Sequence, residues 1–587
     1  MSELRGRDGV RKSPVKSCAS VLNTVLCTKQ RLKLRERQGH EKLGLRSGDR
    51  RRSQAEGDYM SNQDESTAAA KATGNTTRPL NGDEYLESLN DGREIWIYGE
   101  RVENVATHPA FRNTARMVAR LYDSLHDPAR NQKLIVPTDT GSNGFTHAFF
   151  RAPYSVGELQ AGADAITEWA RMSYGWLGRS PDYKASFIST LGSNTEYYAP
   201  FQDNARRWYK EAQEKVLYFN HAIVNPPVDR NRPMEEVRDV YMHVEKETDG
   251  GLIMSGAKVV ATGSAFCHHN FVGAAGPIPV QTKEFSAMFS VPMGTPGVKL
   301  ICRPSYEFNA TTTGSPFDNP LSSRLDENDS IFIFDKVFVP WENVFCYDVD
   351  KANEFYHGSG FIYRALLQGC IRLAVKLDFL CGLLVKGLEM TGSKDFRGVQ
   401  TRIGEVITYR HLFWSLVHAM VNKPDVWSDG TVVPNVEAAT VYRVMMADAY
   451  ARVKEIFQQD LASALIYSNS NAVDWQVPEL SKYLGEYARG SGGNSAEYRL
   501  KVMKLIWDAL GTEFGSRHEL YERNYAGSYE LVRLDTYVAA EANGRIGQFV
   551  DFVESCLDEY DTKGWTVPDL INPGEFSVIR KPQSAGQ

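Results

Sequence analysis

Residues 330–339 read SIFIFDKVFV, and this stretch decides the fold class of the chain. It is rich in β-branched and aromatic residues, which favour strands over helices. Similar β-rich or alternating stretches are VYMHVE (240–245), GLIMSG (251–256) and FSAMFSV (285–291). Clusters of Gly, Pro, Asn and Asp separate them, as turns separate strands. We therefore predict a β domain over residues 218–350, built as a barrel or a sandwich.

Helical spacing flanks this β region on both sides. Before it, apolar residues recur at intervals of three and four, so residues 76–217 are predicted to be mainly helical, with a short strand or hairpin at 94–99. After it, residues 371–386 are strongly apolar and amphipathic, and further helices are predicted near 402–421, 437–467 and 495–510. Residues 351–540 are thus predicted to form a helical bundle, and 541–587 a C-terminal tail. This α–β–α order places the chain in the α+β class.

Composition indicates a globular body behind a basic leader. The chain has 587 residues, 24% of them charged and 42% hydrophobic, and a net charge of −6. This balance does not indicate nucleic-acid binding, and no apolar run reaches the roughly 18–20 residues that span a bilayer. Residues 1–59 hold 15 Lys and Arg against seven Asp and Glu, and residues 1–75 are predicted to be a disordered basic leader.

Three explanations of this leader compete. It is a basic tail for an acidic partner, a weak targeting segment, or the result of an early assigned start. We favour the last, with Met60 opening the protein, because a polar lead-in to a domain follows it.

The eight cysteines form no metal-binding pattern. No CxxC pair occurs among them. Cys267 adjoins His268 and His269, but neighbouring residues on a strand point to opposite faces, so the three make a poor cage for one metal. We predict no metal site, and reduced thiols of the kind found in cytoplasmic proteins.

The segment 174–230 carries the candidate functional residues. Its two ends read YGWLGRSPDYKASF (174–187) and LYFNHAIVNPPVDR (217–230). Ser180-Pro181 predicts a helix start, with serine at the N-cap and proline at the first helical position. Arg179 would then precede the helix and Tyr183 lie in its first turn, a place that favours an oxygen gaining negative charge. With His221 as proton acceptor, the three side chains could hold a phenol by its oxygen.

A purely structural interpretation competes with this one. In it Arg179 pairs only with Asp182, and His221 is a structural histidine whose hydrogen bonds are satisfied. Single motifs are weak evidence, so spacing alone favours the structural interpretation.

Several long motifs, in order, carry a resemblance to a known family over residues 78–568. The chain resembles the oxygenase components of the 4-hydroxyphenylacetate 3-monooxygenase family, which are two-component flavin-dependent aromatic hydroxylases. Besides the two segments above, the motifs are DGREIWIYGERV (91–102), THPAFRN (107–113), SGAKVVATGSA (255–265), PLSSRLDENDSIFIFDKVFVPWENVF (320–345), RLAVKLDF (372–379), FRGVQTRIGEV (396–406) and WDALGTEFGSRHELYERNY (507–525).

The resemblance implies a fold and an activity. The fold is acyl-CoA dehydrogenase-like, with an N-terminal helical domain, a middle β domain and a C-terminal four-helix bundle. The activity is ortho-hydroxylation of a para-substituted phenol by FADH2 and O2, through a flavin C4a-hydroperoxide, with 4-hydroxyphenylacetate as the best guess. A separate NAD(P)H-dependent reductase supplies the FADH2, and a cytoplasmic homotetramer or homodimer is expected.

The resemblance also implies residue roles. Arg179, Tyr183 and His221 match positions that contact the substrate hydroxyl. A departure from the family follows His269, where GAAGP (273–277) replaces polar residues, and Ala274 and Ala275 are expected at the far end of the substrate. Backbone N–H groups there could still bind a carboxylate. The residues matched to flavin contacts are His221, Ala222, Ile223, Pro227, Val228, Asp229, Arg230, Thr262 and a loop of Gly515, Ser516, Arg517 and His518.

Other functions stay open at this point. A chlorophenol-type monooxygenase has the same fold and chemistry. An acyl-CoA dehydrogenase needs a carboxylate over the flavin, for which Glu513 and Glu519 are candidates. A flavin and iron–sulfur dehydratase needs cysteines near Arg179, but none lies between Cys27 and Cys267. A non-enzymatic scaffold would give no flavin-dependent product.

Overall fold

The computed structural model describes residues 76–229, 231–275 and 279–572. The predicted leader (1–75), Arg230 and the last residues of the predicted tail (573–587) lie outside the described residues. Those described fall into two compact units, one ending at Val532 and one beginning at Arg533. Among them, no helix combines the length and the apolar character needed to cross a membrane.

Helices dominate the part of the chain before residue 218. Helix α3 begins after Ser155, whose side chain accepts the Glu158 N–H, and its apolar residues Leu159, Ile166 and Trp169 are buried. The helices are α1 (Gly82–Ser88), α2 (Arg112–Ser124), α3 (Val156–Met172), α4 (Ala185–Ser193) and α5 (Gln202–Lys215), and a small hairpin consists of β3 (Ile135–Pro137) and β4 (Phe145–His147).

The predicted strand or hairpin at 94–99 is a hairpin whose strands join a larger sheet. Strand β1 (Glu94–Ile97) pairs with β2 (Glu100–Arg101) through Tyr98 and Gly99, which have φ of 53° and 82°. Two consecutive residues with positive φ give a tight hairpin turn. Strand β1 also runs parallel to β10 (Val298–Cys302), so this early hairpin extends a sheet of the middle region, which the sequence did not indicate.

Two sheets form the middle of the chain. One has the order β2-β1-β10-β11-β7-β6, and the other has the order β12-β9-β8-β5. The strands from 218 to 350 are β5 (Phe219–Val224), β6 (His243–Thr248), β7 (Gly251–Lys258), β8 (His269–Ala275), β9 (Ala287–Pro292), β10, β11 (Ser330–Pro340) and β12 (Val344–Tyr347).

Strand β5 places the candidate histidine at an edge of the second sheet. It runs parallel to β8, with His221 opposite Phe271 and Ala222 opposite Val272. Phe219, Asn220, His221 and Ala222 are all buried, as expected of a strand covered on both faces.

Long helices follow the sheets. After the short α6 (Tyr306–Thr313), which lies between β10 and β11, the helices are α7 (Val349–Gly358), α8 (Phe361–Thr391), α9 (Arg397–Asn422), α10 (Val436–Leu461), α11 (Pro478–Tyr487), α12 (Ala496–Leu510) and α13 (Glu513–Asn524). Helix α8, 31 residues long, contacts α3, α4, α9, α10 and α12 and forms the centre of the bundle. It is followed by Gly392, whose φ of 71° favours glycine. The helix predicted to reach residue 467 ends at Leu461, because Ala462 leaves helical geometry.

Smaller elements complete the chain. The pair β13 (Asp425–Val426) and β14 (Val432–Val433) joins α9 to α10. Helix α14 (Tyr529–Ala542) runs into the second unit, which also holds α15 (Arg545–Leu557) and the hairpin of β15 (Tyr560–Asp561) and β16 (Gly564–Trp565). The division of the chain at 217, 350 and 540 stays a prediction.

Candidate active site

The helix predicted at Ser180-Pro181 begins later, so that prediction was wrong. Helix α4 begins at Ala185, and residues 181–184 form a turn in which the Tyr183 N–H donates to the Ser180 carbonyl at 2.9 Å. The Ser180 hydroxyl donates to the Asp182 carboxylate two residues away, and among the described residues no backbone N–H donates to this hydroxyl, as a helix cap would require. Arg179 and Tyr183 therefore both precede helix α4, and Tyr183 is not in its first turn.

Arg179, Tyr183 and His221 nevertheless form one buried cluster. The guanidinium carbon of Arg179 lies 4.2 Å from the centre of the Tyr183 ring, and this ring lies 5.6 Å from the His221 ring. All three side chains are buried. The structure thus brings together residues that are about 40 positions apart in the sequence.

Two tyrosines of the C-terminal bundle complete the aromatic surroundings of Arg179. The rings of Tyr521 and Tyr525, both on or next to α13, lie 5.3 and 5.1 Å from its guanidinium carbon. Such contacts stabilise a cation by roughly 0.5–2 kcal/mol each. Sequence reasoning missed both tyrosines, although they stand in the quoted motif 507–525.

The guanidinium of Arg179 has donors without acceptors. Among the described residues, its Nε and Nη1 have no hydrogen-bond partner. The alternative pairing with Asp182 is not formed, because the Asp182 carboxylate accepts from Ser180 and, at 3.5 Å, from Gln368. A buried donor without an acceptor is costly, so the site is suited to a ligand that supplies an oxygen.

His221 is uncharged at neutral pH. Burial, followed by the charges of Lys184 and Arg179, holds the pKa of His221 well below its ordinary value. An unperturbed histidine has a pKa close to neutrality, and burial beside two cations is the reason for the difference. Its Nδ1 has no hydrogen-bond partner among the described residues, so a neutral ring is free to accept a proton. An anion bound nearby would raise its basicity.

Lys184 also belongs to this cluster, although sequence reasoning did not single it out. Its Nζ lies 4.0 Å from the centre of the Phe361 ring and 4.8 Å from that of Tyr183. The side chain is fully buried. The only signal in the sequence was its place directly after Tyr183.

A second polar cluster surrounds Thr262. Arg517 donates to the two carboxylate oxygens of Asp329 at 3.0 and 2.7 Å and contacts the Thr262 hydroxyl at 3.3 Å. The Thr262 hydroxyl in turn donates to Asp329 at 2.5 Å. Burial opposes the charge of Asp329, but Arg517 and Arg303 outweigh it and hold the pKa of the carboxylate well below its usual range.

The segment 515–518, predicted to be a loop, lies in helix α13, so that prediction was wrong. Thr512 caps the helix by accepting the Gly515 N–H at 3.2 Å, which starts regular helix at Glu513. Of the residues 515–518, Arg517 is the one whose side chain contacts Thr262 in the described part of the chain. His518 faces the buried Lys376, and the Nδ1 of His518 lies 3.5 Å from the Nζ of Lys376.

The remaining predicted residues are spread around the two clusters. Ala222 is in the core, Ile223 is half-buried, and the loop of Pro227, Val228 and Asp229 is largely exposed. The half-buried Ala274 and Ala275 end strand β8, where Ala275 pairs with Val224. The predicted substrate-end residues therefore lie beside the end of the strand that carries His221.

Apolar side chains are exposed on segments adjoining both clusters. Val224, Val228 and Val260 are 40%, 54% and 54% exposed, and Val224 forms an isolated bridge with Val259. The bridge places the segment of Val260 beside the strand that carries His221. Among the described residues, no group of three or more His, Cys, Asp or Glu is placed to hold a metal ion.

Comparison with known proteins assigns the family. The family described as 4-hydroxyphenylacetate 3-hydroxylase N terminal matches residues 81–346, and its C-terminal counterpart matches 352–554. The chain belongs to the 4-hydroxyphenylacetate 3-hydroxylase family.

Members of this family with different named substrates resemble the chain closely. A 4-nitrophenol 2-monooxygenase oxygenase component from a Rhodococcus species is 56% identical over 86% of this chain and 97% of its own length. A Streptomyces globisporus monooxygenase, named for a carrier-protein-bound (3S)-3-amino-3-(3-chloro-4-hydroxyphenyl)propanoyl group, is 57% identical over 86% and 95%. The 4-hydroxyphenylacetate 3-monooxygenase oxygenase component of Pseudomonas aeruginosa is 53% identical over 86% and 97%.

Solved structures bear out the fold. The oxygenase component of 4-hydroxyphenylacetate 3-monooxygenase, in a crystal structure with FAD and 4-hydroxyphenylacetate, has a TM-score of 0.77 at 29% identity, over 81% of this chain and 99% of that one. An archaeal 4-hydroxybutyryl-CoA dehydratase from N. maritimus shares the fold, with a TM-score of 0.69 at 18% identity over 80% and 95%. The predicted α+β, acyl-CoA dehydrogenase-like fold is confirmed.

Proposed function

We propose that this member of the family is the oxygenase component of a two-component monooxygenase. It binds FADH2 and uses O2 to hydroxylate a para-substituted phenol at the carbon ortho to the hydroxyl. The observation that carries the proposal is the buried cluster of Arg179, Tyr183 and His221, in which donors and an acceptor lack partners among the described residues.

Each side chain of the cluster has a proposed task. Arg179 supplies N–H donors and positive charge to the phenol oxygen, and the Tyr183 hydroxyl orients that oxygen. His221 accepts the phenol proton. Its low pKa leaves the ring uncharged before the substrate binds, so a ring nitrogen is open to the proton. Loss of the proton makes the ortho carbon a better nucleophile, and a positioned base of this kind contributes about 10²–10⁴-fold.

The second cluster and the exposed valines fit the flavin. Reduced FAD, when bound, supplies the activated oxygen for the reaction. Thr262 and Arg517 offer polar groups, and Arg517 Nη1 has no hydrogen-bond partner among the described residues. Val224, Val228 and Val260 offer an apolar surface suited to a flat ring. Of the other predicted flavin contacts, His221, Ala222, Ile223, Pro227 and Asp229 adjoin this surface in the sequence.

Glu519 is an unsuitable base for the acyl-CoA dehydrogenase alternative. Its carboxylate accepts from Lys454 at 2.5 Å and from Arg523 at 3.1 Å. A carboxylate held by two cations is a weak base, since opposite charges lower its pKa. This observation removes Glu519 from the two candidate bases of that alternative, and Glu513 is exposed at the surface.

The proposed substrate is a phenol with a substituent at the para position. We take 4-hydroxyphenylacetate as the first candidate, and 4-nitrophenol and chlorophenols as alternatives, because relatives are named for different para-substituted phenols. Ala274 and Ala275 are the proposed residues at the far end. Their small side chains leave room for different substituents.

A separate protein is proposed to supply the reduced flavin. Relatives are named as oxygenase components, which implies a second component. We propose an NAD(P)H-dependent flavin reductase in that role, and a homotetramer or homodimer as the assembled form of this chain.

The direct experiment uses the full chain and no reductase. The purified protein is mixed with chemically reduced FAD, aerated 4-hydroxyphenylacetate is added with catalase present, and 3,4-dihydroxyphenylacetate is measured. We expect catechol only when protein, reduced FAD and O2 are all present. Absence of an ortho-hydroxylated product from 4-hydroxyphenylacetate, 4-nitrophenol and 4-chlorophenol alike would overturn the proposal.

A further inference from the structure

Two cations, rather than one, flank the ring of Tyr183. The guanidinium carbon of Arg179 lies 4.2 Å from the ring centre, and Nζ of Lys184 lies 4.8 Å from it. Lys184 is fully buried and also contacts the rings of Phe361 and Phe271, at 4.0 and 5.8 Å. Its amino group therefore shares the Tyr183 ring with Arg179, which is proposed to hold the phenol.

In the part of the chain that the structure describes, no carboxylate pairs with this amino group. Among the described residues, Nζ of Lys184 has no hydrogen-bond partner. Asp182 accepts from Ser180 and Gln368, and Glu327 accepts the backbone N–H of Arg179 and faces Arg517. Burying a cation without a partner is costly, so a buried, unpaired ammonium beside Arg179 is suited to a ligand that brings negative charge.

We propose that Lys184 acts with Arg179 as the positive charge that holds the substrate as a phenolate. This inference rests on the proposed function, because it assigns a residue to the same phenol site. In the step we envisage, the phenol O–H bond breaks, the proton passes to neutral His221, and the phenolate lies beside the ammonium of Lys184 and the guanidinium of Arg179. This transfer leaves the net charge of the site unchanged.

The surrounding titratable groups are consistent with this role. Burial, followed by the charge of Arg179, holds the pKa of Lys184 well below its usual value. The groups that act on Lys184 or interact with Tyr183 beside it are Arg179, His221, Tyr356, Tyr521 and Tyr525. Burial raises the pKa of all three of these tyrosines, so none supplies an anion at neutral pH. A bound phenolate would bring the missing negative charge and raise the pKa of Lys184.

The test uses 4-nitrophenol, whose absorbance reports directly whether it is ionised. The probe is titrated with pH in the presence of saturating full-length protein, without flavin, so that the readout is independent of turnover. The variants are Lys184→Met, Lys184→Gln and the charge-conserving Lys184→Arg. The control is Lys351→Met. The Nζ of Lys351 lies 5.4 Å from the centre of the Tyr197 ring, so this lysine also lies near a tyrosine ring but outside the proposed site.

We expect the pKa of bound 4-nitrophenol to lie below that of the free phenol in the unaltered protein. Lys184→Met and Lys184→Gln should raise it by about 1–3, because an opposite charge within about 4–6 Å shifts a pKa by this amount. Lys184→Arg should restore most of the lowering, and Lys351→Met should leave it unchanged. Removal of an unpaired buried charge should not unfold the protein, which circular dichroism would check.

The outcomes separate this inference from the proposed function. If 4-nitrophenol binds and its bound pKa is the same in the folded Met and Gln variants as in the unaltered protein, the role of Lys184 is overturned and the phenol site stands. If the unaltered protein binds neither 4-nitrophenol nor competing 4-hydroxyphenylacetate, both fail.

Discussion

The backbone N–H of Arg179 donates a hydrogen bond to the carboxylate of Glu327, which lies 148 residues further along the chain. The other carboxylate oxygen of Glu327 lies 3.7 Å from Arg517 Nη1. One buried carboxylate therefore joins the cluster proposed to hold the phenol to the cluster proposed to hold the flavin. Burial raises the pKa of Glu327, although Arg517 and the Arg179 N–H oppose this.

Glu327→Ala should destabilise the protein. It leaves a buried N–H and the Arg517 charge without this partner, and breaking a buried charge pair costs about 3–5 kcal/mol. Glu327→Gln keeps an acceptor and should cost less. Chemical denaturation of the two variants and the unaltered protein measures the difference. Equal stability of the Ala and Gln variants would contradict the bridging role.

His221→Ala should keep the fold and lose most hydroxylation. Without the proton acceptor, product formation should fall by about 10²–10⁴-fold, while reduced flavin still consumes O2. The measurement is catechol formed per O2 consumed after mixing with reduced FAD. A normal catechol yield would exclude His221 as the base.

Arg179→Met should weaken phenol binding. A hydrogen bond to a charged group contributes about 1.5–3 kcal/mol, so the Kd for the phenol should rise by about 10- to 150-fold. Equilibrium binding of 4-nitrophenol measures this, with Lys351→Met as the control. Unchanged affinity would count against direct contact between Arg179 and the substrate.

Acid should destabilise the protein because its buried histidines are held uncharged. His147 allows a test of one such histidine. Burial lowers the pKa of His147 to about 3, although a backbone hydrogen bond opposes this. Because the unfolded value is near 6.5, the unfolded chain binds more protons between about pH 3 and 6.5, so stability is lost as the pH falls through this range.

Between pH 7 and pH 5 this histidine should contribute a loss of about 2 kcal/mol. The test compares the free energy of unfolding at the two pH values in the unaltered protein and in His147→Asn. The variant should lose about 2 kcal/mol less on acidification. The same loss in both proteins would show that His147 is not held uncharged.

Local sequence patterns predicted secondary structure correctly where the residue types of a segment favour the same element that its tertiary neighbours favour. The β-rich stretch at 330–339 lies in strand β11, and the residues at 94–99 form a hairpin with a turn at Tyr98 and Gly99. The helix predicted to start at Ser180 begins at Ala185 instead, and among the described residues the Ser180 hydroxyl accepts no backbone N–H. A pattern of residue types does not reveal whether the chain after a serine turns so that its N–H groups reach the hydroxyl.

By itself, the sequence determined the fold class, the family resemblance and the choice of Arg179, Tyr183 and His221 as candidates. Periodicity and motifs depend only on residues that are close together in the sequence. Only the tertiary structure decided that His221 is uncharged, that Lys184 is buried and unpaired among the described residues, and that Glu327 joins the two clusters. Those properties depend on burial and on charges contributed by distant segments. Their physical cause is the low dielectric that forms when the strands and helices pack together.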